Sequence, residues 1–425
     1  MTISIERKYG SDAIDRGANI VTRVLLVAFV LGCVFDPADR ILGAKVWVFV
    51  ALWGGTFATC VWASDRVRLP IDLLLIIAIF VAIPLLSILR YYFVSGTEPY
   101  AGFALLKSYL FASLAIVLVV SRFDIVPVLA GALTLVAVLT IAISVLVRLY
   151  PWLFLVLHEA GASAGNLILL ERSYGQNLTI TQVAFATAPM LAISISYHFD
   201  RAMDGASRSA KLKSFTWLAV NMIGMFLVGL RNTMAVALLL PFFLWPIYTR
   251  RVLRNMGVSL AILVVLSLPL LGKLRTLLNP AELSNDVKLT FLRDYAAIFS
   301  NPVDLMFGQG LGAYYRWSSS GQPNFETTGA NFYFVTELTY AEMIRSFGLI
   351  GALIMLAPLL YPVASAFRAA PGDRRRALAM GFIAYLGMSV TNPLLFSSSG
   401  MLIWTVLLAD SFRTSCNNSL ARSPS

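Results

Sequence analysis

The 425-residue chain is 58% hydrophobic and only 13% charged, against about 45–50% apolar and about 25% charged residues in a soluble globular protein. With a mean hydropathy of +0.78, these proportions exclude an ordinary water-soluble domain and indicate a polytopic membrane protein. The net charge of +11 would suit a nucleic-acid binder, but its placement along the chain follows membrane topology, so no nucleic-acid partner is expected.

The opening "MTISIERKYGSDAIDRGANI" is polar and has no short apolar core before a small-residue cleavage site, so it does not read as a removable signal peptide. A spanning helix needs about 20 apolar residues. Windows that meet this fall at 18–35, 41–63, 71–89, 103–121, 125–149, 179–198, 214–230, 232–248, 256–272, 339–363, 377–396 and 398–412. Arg7, Lys8 and Arg16 place the N-terminus in the cytoplasm. Alternation then puts Arg66/Arg68, Arg122, Arg201/Arg208/Lys211/Lys213, Arg250/Arg251/Arg254 and Arg368/Arg374/Arg375/Arg376 on that same side, with Arg413 and Arg422. The outer side receives scattered arginines and two long segments, 150–178 and 273–338. The expected fold is an all-α polytopic membrane protein, residues 1–425 forming one integral domain. It has about twelve transmembrane helices, cytoplasmic termini and a large outer loop (273–338) between spans nine and ten.

One stretch, "VGLRNTMAVALLLPFFLW" (Val228–Trp245), carries a lone arginine in apolar surroundings. Lys211/Lys213 and Arg250/Arg251 flank roughly 35 apolar residues, about 52 Å of helix against a core of about 30 Å. The run must therefore be a helical hairpin, with Gly229-Leu230-Arg231-Asn232 as its outer turn. Arg231 either snorkels to headgroups there or serves an outer site.

In the outer loop, "NDVKLTFLRDYAAIFS" predicts an amphipathic helix capped by Asn285 and ended by Asn301-Pro302. Phe291, Leu292, Tyr295, Ile298 and Phe299 would face apolar material, with Arg293 at the edge. "GQGLG" spaces Gly308, Gly310 and Gly312 for close backbone approach. It is not G-x-G-x-x-G and has no P-loop lysine, so a nucleotide site is not expected. Tyr314, Tyr315 and Trp317 suit either sugar faces or an interfacial aromatic belt. In "TELTYAEMIRSFGLIGAL", Thr339 and Glu342 have capping-box spacing, and Glu342 can equally pair with Arg345 at i,i+3. Glu337 precedes that cap. Were the helix to begin a turn earlier, Glu337, Ala341, Arg345 and Gly348 would share one face. Gly348 and Gly351 offer a small-residue surface for helix packing.

Other chemistry has little to build on. "HEAGA" departs from H-E-x-x-H at Ala162, His198 is remote from His158 in sequence, and Cys33, Cys60 and Cys416 form no useful pattern. No metal and no cofactor are expected. Asp36 and Asp39, just after the first span, either hold a divalent ion or act as a base, or simply begin a solvated loop.

Several of these motifs together resemble the O-antigen ligase/polymerase superfamily of bacterial inner-membrane glycan enzymes. "GLRNTMAVALLL" is similar to the family's arginine entering an apolar helix, and "FLRDYAAIFSNPVDLMFGQGLGAY" to its arginine, aromatic, proline and glycine-rich succession. "ELTYAEMIRSFGLIGAL" is similar to its H-[NSQ]-x9-G-x-x-G segment, and "RSYGQNLTITQVA" to an arginine-to-asparagine stretch that implicates Arg172 and Asn177. Where ligases carry histidine this chain has Glu337, followed by Leu338, which favours a polymerase of O-antigen, capsule or exopolysaccharide over a ligase.

The resemblance implies an inner-membrane glycosyltransferase whose donor is an undecaprenyl-pyrophosphate-linked oligosaccharide presented at the periplasmic face. A chain-length regulator and a flippase of the same pathway are its expected partners. Arginines grip phosphate oxygens in pairs and do not deprotonate, so Arg231 and Arg293, with Arg345 and Arg172, would hold the diphosphate without a metal. Glu337 would take the acceptor proton. Tyr314, Tyr315, Trp317, Asn177 and Tyr340 would contact sugars. Two rivals stand beside the polymerase: a ligase that delivers finished glycan to lipid A-core, and a flippase or transporter of similar span count, which would be expected to show internal repeats and polar residues at mid-membrane.

Overall fold

A backbone surrounded by lipid must satisfy its own N–H and C=O groups, and long Leu/Ile/Val/Ala/Phe runs do so as helices. The computed structural model describes residues 2–5, 12–37, 43–62, 67–96, 100–121, 123–164, 166–173, 179–204, 207–248, 283–313, 338–391 and 395–421. The helices are α1 (Asp12–Phe35), α2 (Ala44–Trp62), α3 (Ile71–Ser95), α4 (Tyr100–Leu110), α5 (Leu114–Ser121), α6 (Val126–Leu149), α7 (Trp152–Ala164) and α8 (Leu191–Asp204). They continue as α9 (Arg208–Leu227), α10 (Arg231–Leu244), α11 (Leu283–Phe299), α12 (Pro302–Phe307), α13 (Thr339–Phe367), α14 (Arg374–Met388) and α15 (Ser398–Ala421). Four helical stretches among the described residues are long and apolar enough to cross a membrane: Ile71–Ser95, Tyr100–Ser121, Val126–Leu149 and Thr339–Phe367. The chain is a predominantly helical membrane protein.

The expected window at 256–272 lies outside the described residues. The window at 179–198 is corrected: it opens as a strand, β4 (Thr179–Phe185), before a 3₁₀ turn and the 14-residue α8. β4 pairs antiparallel with β3 (Leu167–Ser173), from Leu167↔Phe185 to Ser173↔Thr179. The β-branched run Thr179-Ile180-Thr181 suits a pleated surface better than a helix. Alone, α8 reaches about 21 Å, short of a bilayer core of about 30 Å. A second hairpin joins β1 (Thr2–Ile5) to β2 (Val67–Pro70); neither hairpin was expected of an all-α chain.

The expected reversal at Arg231 is present. α9 ends at Leu227, Gly229 takes a positive φ of 72°, and α10 begins at Arg231. Gln182 of β4 fixes the turn by donating from Nε2 to the Gly229 carbonyl at 2.6 Å.

Ion pairs and hydrogen bonds mark one end of the bundle. Arg374, at the start of α14, bridges Asp124 at 2.6 Å and Asp410 at 2.7 Å. Arg413 donates to the carbonyls of Leu118 and Phe123. At the other end the glycine-rich segment is wedged between α3, α4 and α13. Gly308, Gly310 and Gly312 all have positive φ. Gly308 lies against Gly348, where α13 kinks with φ 72°, and a Cβ on either would overlap the other segment's backbone. The close approach expected of these glycines is thus to the protein's own helices. Ser87 fixes it, donating to the Ser346 carbonyl at 2.5 Å and accepting from the Leu311 N–H at 2.7 Å. Arg90 adds a bond from Nε to the Gly308 carbonyl at 2.6 Å.

α11 starts at Leu283, so Asn285 falls inside the helix rather than capping it. Phe291 and Tyr295 pack with Leu338, Ile298 and Phe299, an i, i+4, i+7, i+8 stripe. Leu292 lies outside that stripe and is 51% exposed, contrary to expectation.

Candidate functional site

α13 begins at Thr339 with Leu338 in the cap position and no side-chain cap, so the Thr339/Glu342 capping box does not form. The Glu342 carboxylate has stronger partners. Its Oε2 accepts from the Tyr295 hydroxyl at 2.7 Å and from Arg345 Nε at 3.0 Å. Its Oε1 accepts from Arg345 Nη2 at 2.5 Å and from Ser346 Oγ at 3.1 Å. This is the i,i+3 pairing open to the sequence, made two-pronged as guanidinium and carboxylate geometry favours. Arg345 is 0% exposed and sends Nη1 to the Ala313 carbonyl at 3.0 Å. A charge so buried survives only when paired and hydrogen-bonded.

This cluster backs a cavity of about 310 Å³, within the range of small-ligand sites, about 300–1,000 Å³. Lys107, Ser108 and Tyr109 of α4 form one wall, with Leu311 from the glycine-rich segment. Thr339, Glu342, Ser346 and Phe347 of α13 form another, and Pro37, Phe396, Ser397 and Ser398 complete it. The Tyr109 ring stacks on Phe396 at 5.5 Å and meets Phe347 edge-on at 5.9 Å. Behind Pro37 and Ser398 sits Lys45, 3% exposed. Its ammonium donates to the carbonyls of Asp36 (2.5 Å) and Pro37 (3.2 Å) and to Ser398 Oγ (3.0 Å).

The sequence-expected residues fall into three groups. Glu337, Asn177, Tyr314, Tyr315, Trp317 and Asp39 lie outside the described residues. Arg172 lies in β3, in register with Ile180. Of the rest, Arg345 is sealed from solvent, is bound to Glu342 and to the Ala313 carbonyl, and stands behind the cavity rather than in its lining. The Tyr340 hydroxyl is committed to the Leu386 carbonyl at 2.8 Å. Arg293 is exposed on α11, two residues before the Tyr295 that docks that helix on Glu342. Half-buried Arg231 opens α10, and its neighbour Asn232 donates to Thr391 Oγ1 at 3.3 Å and, less favourably, to the Met388 carbonyl at 3.4 Å. Since Tyr340 and Asn232 both bond the C-terminal end of α14, the starts of α10 and α13 share one end of the bundle. Arg231, Arg293 and Arg345 are therefore carried by elements that meet at the same end.

Sequence reasoning missed Lys107 and Lys45. For Lys107 a signal was present: it is an ionisable residue inside an apolar window, which in membrane proteins ordinarily marks a functional interior. Among the described residues no group of three or more His, Cys, Asp or Glu is placed to hold a metal ion. Comparison with protein-family models and with curated proteins finds no match for this chain.

Proposed function

We propose that this protein is a polymerase of bacterial surface polysaccharide (O-antigen, capsule or exopolysaccharide) in the cytoplasmic membrane, with about twelve spans and both termini inside. Its substrates are undecaprenyl-pyrophosphate-linked oligosaccharides at the periplasmic face. The observation that carries this is the cavity of about 310 Å³, walled by hydroxyls, aromatic rings and a lysine, at the end of the bundle where the helices of Arg231 and Glu342 begin. The motif resemblance supplies the reaction class.

In the proposed step an acceptor sugar hydroxyl attacks the anomeric carbon of the donor, the bond from that carbon to the pyrophosphate oxygen breaks, and undecaprenyl pyrophosphate leaves. Negative charge grows on the leaving diphosphate, where Arg231 and Arg293 provide fixed cations in the role a metal ion plays elsewhere. The hydroxyl proton passes to Glu337. Glu342 is not assigned that role, because Tyr295, Arg345 and Ser346 already occupy both of its oxygens.

Purified protein given lipid-linked repeat units alone is expected to yield a ladder of lengthening products on a gel. A single adduct that forms only when lipid A-core is added would instead make it a ligase. Flux across proteoliposomes without any covalent product would make it a transporter.

A further inference from the structure

We propose that the cavity is a subsite for an N-acetylated amino sugar of the repeat unit, its acetamido group bound by Tyr109 and Ser108. This rests on the glycan-polymerase proposal and adds the chemical class of its substrate. The two residues are neighbours on α4, line the cavity and are 3% and 8% exposed. Among the described residues neither hydroxyl makes a hydrogen bond. Serines and threonines buried in apolar helices can turn back on the i−4 carbonyl, as Thr140, Thr405 and Ser411 do. Ser108 makes no such bond. A buried hydroxyl left unbonded is costly, and two of them side by side on one cavity wall call for a ligand that bonds both.

The other polar side chains of the lining are engaged within the protein. Tyr295, Arg345 and Ser346 take both oxygens of Glu342. Ser398 Oγ accepts from Lys45 and donates to the Pro37 carbonyl, while Lys107, Thr339 and Ser397 have partners of their own. A ligand therefore meets two hydroxyls in a wall of Leu311, Met343, Phe347 and Phe396. An acetamido group matches that wall. It brings one carbonyl and one N–H to hydroxyls that each donate and accept, and a methyl to the apolar side chains. A prenyl tail would fill the apolar part and leave both hydroxyls unbonded. Glucose would set a hydroxyl where the methyl packs.

The test is binding of N-acetyl-D-glucosamine, D-glucose and farnesyl phosphate to the full-length detergent-purified protein, followed by saturation-transfer NMR. N-acetylglucosamine is expected to bind about tenfold more tightly than glucose, the worth of a buried methyl and one hydrogen bond, with its acetamido methyl receiving the strongest saturation. Tyr109→Phe keeps the ring and should weaken it about fivefold. Tyr109→Phe/Ser108→Ala should leave only the methyl's share of the preference, about fourfold. Both variants should keep the parent's melting temperature, since neither hydroxyl bonds the protein. Equal affinity for the two sugars, binding of neither, displacement of N-acetylglucosamine by equimolar farnesyl phosphate, or a lower melting temperature for Tyr109→Phe would each overturn the proposal. Should the variants fail to express, the parent's own preference still decides. An N-acetylglucosamine preference without a polymer ladder would keep the subsite and remove the polymerase; a ladder without the preference would do the reverse.

Discussion

Replacing Arg231 with alanine is expected to slow repeat-unit transfer by about 10²–10³-fold, the usual cost of one preorganised donor to developing negative charge. The position can tolerate the change. Arg231 is the first residue of α10 and only half-buried, and alanine is a strong helix former, so the protein should insert and elute as the parent does. Arg231→Lys keeps the charge but loses the planar fork and should recover only part of the rate. Arg293→Ala, at an exposed position on α11, should likewise fold normally and lose long-chain product. Gel ladders from purified lipid-linked units, scaled to folded protein, check both. Normal ladders from both variants would remove the arginines from the chemistry.

Glu342→Ala should act through stability first. It leaves the fully buried Arg345 guanidinium without its carboxylate, and breaking such a pair costs about 3–5 kcal/mol. It also strands the Tyr295 hydroxyl that docks α11. Tyr295→Phe removes only one hydrogen bond and should cost about 1.5–3 kcal/mol, the range for a bond to a charged group. The double variant Glu342→Ala/Arg345→Met removes both charges and should regain much of the loss. Thermal unfolding in detergent checks the series. A Glu342→Ala protein as stable as the parent would show that the pair does not hold the cavity wall.

What the sequence made legible follows from how local each signal is. The hairpin at Gly229–Arg231 could be read because basic residues bracket an apolar run too long to cross once. The i,i+3 pairing of Glu342 with Arg345 was visible from spacing, but its precedence over a capping box was not. That precedence depends on Tyr295, 47 positions away, approaching the same carboxylate. The window at 179–198 was misread because apolar content alone does not separate a buried strand from a helix; the β-branched Thr179-Ile180-Thr181 was the discriminating detail. The cavity had no local signature at all. Its walls come from the exit of α1, from α4, from α13 and from the start of α15, segments that only folding brings together.

The most direct measurement is thiol labelling of a cysteine placed in the cavity. In a chain whose native Cys33, Cys60 and Cys416 are replaced, Ser397→Cys in the cavity lining and Ser209→Cys at the exposed start of α9 are offered a membrane-impermeant maleimide in intact spheroplasts. Position 397 is expected to label from outside, more slowly once lipid-linked repeat units are present, and position 209 only after permeabilisation. Labelling of 209 from outside, with 397 protected until the membrane is opened, would contradict a glycan site on the periplasmic face.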